Sequence, residues 1–230
     1  MNGEPVNSIL ASLPTSERTI IQAQLTAGPL RHGAILLEPG QAVERICFPS
    51  AGVISVIAAL ENDDSVETMT VGPEGVLGAS AAFFPVTAYG RALVQIPGAA
   101  HWLPADWLRG RLEDLPRLRE LLVRRLELTV SEAQQTAACN AVHTLPQRLA
   151  KWLLRCHDRA GGDVLTLTQE FLSHMLGAHR TTVTQVASSL QGRGLIRYQR
   201  GRVEIVDRPG LEALTCECYA AVTSRQRELA

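Results

Sequence analysis

A change of hydrophobic period near Pro104 restricts the fold of this chain more than any other feature. From about residue 30 to 105 the apolar residues come in short runs cut by glycine and proline: "AILLEPG", "ERICFPSAGVISVIAAL", "VETMTVGPEGVLGAS" and "GRALVQIPGAAHWLP". Valine and isoleucine alternate there with polar residues, the pattern of half-buried antiparallel strands joined by turns, so a sandwich or barrel is expected. After Pro104 the glycines thin out. Leu118, Leu122, Leu126, Val130, Ala133 and Ala137 follow at steps of three and four, predicting a helix of roughly six turns. Leu121 and Leu128 lie off that stripe and are expected to stay exposed, a second apolar edge for the same helix of a second copy. Arg125, Thr129 and Glu132 interrupt the heptad.

Beyond "NAVHTLP" a new unit begins. "QRLAKWLLRCHDRAGG" reads as a short amphipathic helix stopped by Gly161 and Gly162. In the next stretch Thr168 is placed as an N-cap, with Gln169 and Glu170 in the first helical turn and Gly177 breaking the helix. A second helix then sets Val183, Val186, Ala187 and Leu190 on one face and leaves Arg180, Thr181, Thr184, Gln185 and Ser188 on the other. Two short helices across a glycine turn make a helix-turn-helix, whose second helix fits the DNA major groove, about 12 Å wide. Any soluble helix turns polar residues outward, so that pattern alone decides little. The following "LIRYQRGRVEIVD" adds two short strands about a Gln-Arg-Gly turn, a wing whose arginines reach flanking phosphates.

Charge is distributed accordingly. Residues 1–143 carry 10 Arg against 15 Asp and Glu, net -5, while residues 144–230 carry 12 Lys and Arg against 8 acids, net +4. Between Arg180 and Arg208 six arginines face only Glu204 and Asp207, an excess that favours a polyanion. In that setting Arg180 suits guanine O6 and N7, Gln185 suits adenine N6 and N7, and Thr181 and Thr184 suit base edges. Thr168, Gln169, His179, Thr182, Arg200 and Arg202 are expected to hold phosphates.

Read together, these stretches resemble the CRP/FNR superfamily of bacterial transcription regulators over nearly the whole chain. The likeness is strongest in "LTQEFLSHMLGAHRTTVTQVASSLQGRGLI". It implies an α+β chain: an antiparallel β-roll like that of cyclic-nucleotide-binding domains (1–108), a dimerisation helix and hinge (109–143), and a winged helix-turn-helix (144–230). It further implies a homodimer on a two-fold symmetric operator, and contact with RNA polymerase if the protein activates. The family's reading helix commonly shows an Arg-Glu pair followed four residues later by Arg. This chain holds Arg180, Thr181 and Gln185 at those positions, so a different operator is implied.

The sensor half departs further from the family pattern. "VGPEGVLGAS" and "YGRALVQ" resemble the phosphate-binding cassette of cyclic-nucleotide domains, which places an effector pocket at Gly78, Ala79, Arg91 and Ala92. Ala79 stands where the resemblance implies a ribose-binding glutamate. Loss of such an acceptor costs on the order of 1.5 to 3 kcal/mol, so cyclic AMP is not the expected effector. Arg91 is left to bind another anion or to pair with Glu74 or another acid. Only Cys47 precedes residue 139, which does not match an iron–sulfur sensor, and none of the six histidines has the setting of a haem ligand.

Several classes find no support in the chain. It has no nucleophile elbow, Walker lysine, HExxH or loop-borne carboxylate pair, so neither an enzyme nor a catalytic residue is expected. The five scattered cysteines suit a reducing compartment, and "CEC" at 216–218 has no second Cys or His pair near it in sequence, so no metal or other cofactor is assigned. No charged and apolar leader opens the chain and no apolar run reaches 18 residues, so a cytoplasmic protein without a membrane partner is expected. The alternative to a regulator on double-stranded DNA is a non-catalytic ligand-binding adaptor whose helix-turn-helix serves only as packing.

Overall fold

The computed structural model describes residues 6–59 and 65–229. They fall into two units. The first takes in the described residues up to Val56, then Met69–Val130 and the last residues of the chain; the second takes in Ile57–Thr68, as far as described, and Ser131–Arg227.

α1 (Ser8–Ala11) and α2 (Thr15–Gln22) lead into β1 (Thr26–Leu30), β2 (Ile35–Leu37), β3 (Arg45–Ala59), β4 (Ser65–Val71) and β5 (Arg91–Pro104), all in the first unit except β3 from Ile57 and β4 up to Thr68, which belong to the second. The strands form one sheet in the order β1-β5-β3-β4, with β2 also on β5. β1 runs antiparallel to β5, from Thr26 opposite Trp102 to Leu30 opposite Gly98. Alternation along β3 sends its side chains to two cores. Ile46 and Phe48 join the helices in one apolar cluster, while Cys47 between them faces a second with Leu30, Ile54 and Val94.

α3 (Ala105–Arg111) follows, then α4 (Pro116–Val142), the long helix that the apolar spacing predicts. A buried acid starts it: Glu17 accepts from the backbone N–H groups of Arg117 and Leu118 at 2.9 Å each. A carboxylate at a helix N-terminus satisfies two otherwise orphaned donors and complements the helix dipole. Leu118 and Leu122 are fully buried in their own unit. Leu121 and Leu128 are buried as well, at 7% and 5% exposure, which corrects the expectation that they form an exposed second edge. Besides Val142 at the helix end (77%), exposed apolar positions run along one line from Val123 (48%) and Val130 (53%) to Ala133 and Ala137. With half-buried Leu126 they recur at steps of three and four, the spacing of a coiled-coil seam.

The second unit contains α5 (Leu145–Ala160), β6 (Val164–Thr166), α6 (Gln169–Leu176), α7 (Arg180–Gly192), β7 (Ile196–Gln199), β8 (Arg202–Ile205), α8 (Arg208–Leu214) and α9 (Cys218–Leu229). α5 starts where Thr144 N donates to the Gln147 side chain at 3.0 Å and ends at Gly161 in the left-handed conformation. It buries Leu149, Trp152 and Leu153. Trp152 Nε1 donates to Glu67 Oε1 at 2.8 Å, satisfying both buried polar groups. No helix among the described residues is long and apolar enough to cross a membrane.

Candidate nucleic-acid interface

The glycine turn is built as the sequence requires. Thr168 caps α6 by accepting from Phe171 N at 3.1 Å, so its hydroxyl proton stays available for a phosphate oxygen. At the other end Gly177 adopts φ +56°, and Ala178 N donates back to Ser173 O at 3.1 Å. An L side chain strains at that φ, which is why a glycine closes this helix. The Arg148 guanidinium adds a hydrogen bond to the carbonyl of Leu176.

α7 then packs through Val183, Ala187 and Leu190, all buried. Arg180, Thr181, Thr182, Gln185 and Ser188 are exposed and Thr184 is half-buried, so the face predicted to read DNA is the one turned outward. His179 precedes the helix with no side-chain cap, and no acid lies in the first turn. The free N–H groups and the positive end of the dipole are therefore left for an external anion. Arg180 sits at that same end, where a cation is disfavoured within the chain itself. Both features suit a phosphate backbone better than they suit the isolated helix.

The wing differs slightly from its sequence reading. Gln199 is paired with Arg202 in the hairpin, so the turn is the two residues Arg200 and Gly201, both at positive φ (+49° and +75°). β6 adds a third strand on β8 that the sequence reading had not assigned. Two anchors also escaped that reading. Gln191 Oε1 of α7 accepts from Tyr198 N at 2.6 Å, and Tyr198 Oη donates to Leu167 O at 3.2 Å, fixing the wing to both sides of the motif. Burial pushes the Tyr198 hydroxyl up in pKa, and the Arg180 guanidinium opposes that shift.

Two of the six arginines counted as excess charge are neutralised within the chain. Arg197 pairs with Glu204, and Arg208 donates to Asp158 at 2.7 Å and to Glu212 at 2.8 Å. Arg180, Arg193, Arg200 and Arg202 are exposed, three of them on the recognition helix and the wing.

In the first unit the residues read as a nucleotide cassette are largely packed, apart from exposed Arg91. Gly78 has φ +82°, and a Cβ on it lies 2.8 Å from Val43 Cγ1. Ala79 (6% exposed) and Ala92 (1%) are packed in the two apolar clusters. Arg91 pairs with an acid, Glu38, at 2.8 Å in an exposed ion pair. Cys216 and Cys218 do have neighbours: the fold brings Cys139 and His143 beside them, 77 and 75 residues earlier in the chain.

Residues 147–214 match the sequence family described as the Crp-like helix-turn-helix domain. The chain is 28% identical to the transcriptional regulator SdrP of Thermus thermophilus, over 79% of this chain and 90% of that protein. It is 26% identical to the CRP-like cAMP-activated global transcriptional regulator of Mycobacterium tuberculosis, over 86% of this chain and 92% of that one. In three dimensions it resembles a regulator of the crp/fnr family from Eubacterium rectale with a TM-score of 0.72, covering 90% and 97% of the two chains. That pair shares 18% identity, so the likeness is one of fold.

Proposed function

We propose that this chain is a DNA-binding transcription regulator of the CRP/FNR superfamily, as its Crp-like helix-turn-helix match and its similarity to two such regulators support, and that two copies of it bind a two-fold symmetric operator, each seating α7 in a major groove. The observation that carries this reading is the outward face of α7, where Arg180, Thr181 and Gln185 stand opposite a buried Val183–Ala187–Leu190 face. Arg180, Thr181, Thr184 and Gln185 read bases. Thr168, Gln169, His179, Thr182, Arg200 and Arg202 hold phosphates on either side. The copies associate through the α4 stripe of Val123, Leu126, Val130, Ala133 and Ala137, which the single chain leaves at least partly open to water.

The N-terminal unit either senses something other than cyclic AMP or is degenerate as a sensor, although the mycobacterial relative is named for that nucleotide. With Ala79 buried among apolar side chains and Arg91 paired to Glu38, the cassette offers neither the ribose acceptor nor a free guanidinium. An activator of this kind also contacts RNA polymerase, in the cytoplasm. Operator selection from random double-stranded DNA, followed by competition binding at several salt concentrations, tests the reading. Enrichment of an inverted repeat supports it. Absence of any salt-dependent DNA binding turns the reading toward a ligand-binding adaptor.

A further inference from the structure

The end of α4 and the start of α9 meet through four side chains whose donor atoms all lie within 4.8 Å of one another: Cys139, His143, Cys216 and Cys218. Local geometry on each side makes this possible. Cys139 and His143 are four residues apart, and His143 N donates to Cys139 O at 3.0 Å, so one last helical turn stacks both side chains on one face. Cys216 and Cys218 flank Glu217, and Tyr219 N donates to Cys216 O at 3.2 Å, a turn that folds the two thiols to one side. The three cysteines are buried at 0%, 3% and 1% exposure.

Cys139 Sγ lies 3.6 Å from Cys216 Sγ, and Cys218 Sγ lies 3.5 Å from His143 Nδ1. A tetrahedron with zinc–sulfur bonds of about 2.3 Å and a zinc–nitrogen bond of about 2.0 Å has edges of about 3.8 Å between sulfurs and about 3.5 Å between sulfur and nitrogen. Both separations fit. A disulfide requires about 2.0 Å, well inside the observed distance. In a [4Fe–4S] cluster each thiolate binds a different iron, which holds the sulfurs farther apart than one shared ion does.

The surroundings are also those of a metal site. His143 Nε2 lies 3.2 Å from Glu217 Oε1, so a carboxylate orients the ring and leaves Nδ1 facing the three sulfurs. Gln135 Nε2 donates to Cys218 Sγ at 3.0 Å, and the Lys151 ammonium acts electrostatically on Cys139. A cluster of thiols that merely filled space would need neither the aimed imidazole nor the N–H donor.

We propose that Cys139, His143, Cys216 and Cys218 bind one zinc ion per chain in a closed Cys3His site. The ion forms three zinc–sulfur bonds and one zinc–nitrogen bond, and three thiol protons leave to solvent; nothing is oxidised or reduced. Three thiolates and a neutral imidazole leave the complex with a net charge of -1, which the Lys151 ammonium offsets. Four protein ligands leave no position for a reactive water, so the role is structural. The ligands flank the helix-turn-helix segment 147–214 on both sides, and zinc closes that segment into a loop between Cys139 and Cys216, 77 residues apart.

The test uses the full chain purified with reductant and without chelator. Elemental analysis is expected to give about one zinc per chain, released when a thiol reagent blocks the cysteines. Cobalt in place of zinc is expected to give the visible bands of a tetrahedral ion with thiolate charge transfer. Cys47→Ser and Cys156→Ser, outside the cluster, keep the metal; Cys139→Ser and Cys216→Ser lose it. Should those two fail to fold, His143→Cys retains zinc with a shifted cobalt spectrum, and Glu217→Gln lowers zinc affinity about 10–100-fold while keeping the stoichiometry. Folded, reduced, unmodified chain that carries no zinc and gives no cobalt spectrum overturns the proposal. So does a Cys139–Cys216 disulfide in metal-free protein.

Discussion

Thr184 Oγ1 lies 3.1 Å from Gln169 Oε1 and 2.8 Å from Arg180 O, so the one hydroxyl of the recognition helix that bends inward ties α7 to α6. A threonine hydroxyl has a single proton, and both neighbours are acceptors. The hydroxyl is therefore engaged within the protein, and the group that Thr184 offers to a base is its methyl, which suits thymine. With its carbonyl engaged by Thr184, the Gln169 amide has its N–H donors left for a phosphate in the proposed complex.

Thr184→Val, which keeps the methyl and removes the hydroxyl, is expected to leave base preference unchanged and to cost about 0.5–1.5 kcal/mol of stability. Thr184→Ser is expected to do the reverse, relaxing preference at one position. Binding to a panel of operator variants, with denaturant unfolding of the free protein, separates the two. Altered base preference in the valine variant would place the hydroxyl on the base instead.

Arg180 and Arg202 are predicted to fail differently. Arg180→Ala is expected to cost about 1 to 3 kcal/mol per half-site and to relax one base position. Arg202→Ala weakens all sequences alike and lowers the slope of log K against log salt by about one per phosphate contact, hence about two for a symmetric dimer. Competition binding across a salt series decides this, and equal effects from both would dissolve the division into readers and anchors.

Assembly is tested at Val130, because a stripe residue such as Leu122 is fully buried in its own unit and a charge there unfolds the chain. Val130 is 53% exposed on the free edge, so Val130→Glu is expected to leave the thermal transition of the monomer intact while breaking the pair. Light scattering is expected to give roughly twice 24.9 kDa for the unmodified chain and the single mass for the variant. Dimers that survive Val130→Glu would move the interface elsewhere.

The cassette makes a sharper case than its sequence. Replacing a missing acid invites Ala79→Glu as a restoration, yet Ala79 is packed among apolar side chains. The substitution is expected to bury a carboxyl group there, to destabilise the fold by about 2–4 kcal/mol and to confer no cyclic AMP binding. Urea unfolding and calorimetry read both effects. A micromolar dissociation constant for cyclic AMP in the unmodified protein would contradict the reading of this pocket.

How far the sequence reached depends on the range of the interaction. The strand runs, α4 and the Thr168-to-Gly177 frame of the turn follow from period and capping, which are local signals. Which leucines of α4 face the core is not local. Leu121 and Leu128 read as surplus on a helical wheel, but both are buried, Leu121 in the first unit's apolar cluster, while Val123 and Val130 stay exposed. The Arg91–Glu38 pair spans 53 residues and the Cys139–Cys216 contact 77, separations at which spacing carries no signal. Arg208 looked like part of a basic patch because its acidic partner Asp158 lies 50 residues upstream.

Arg200, proposed above to hold a phosphate, sits in a backbone conformation whose cost can be measured. It is the one non-glycine residue at positive φ among the described residues, in a two-residue hairpin turn with Gly201. Such turns favour Asn-Gly, because asparagine adopts the left-handed region more readily than a long side chain does. A bulky cation held there fits a position kept for phosphate contact at the expense of local strain. Arg200→Asn is therefore expected to stabilise the free protein by about 0.5–1 kcal/mol while weakening all operators alike and lowering the salt slope as Arg202→Ala does. Thermal unfolding and salt-dependent binding on the same preparation measure both halves. If stability rose with DNA binding and its salt slope unchanged, Arg200 would be no phosphate ligand, and its strain would have no functional account.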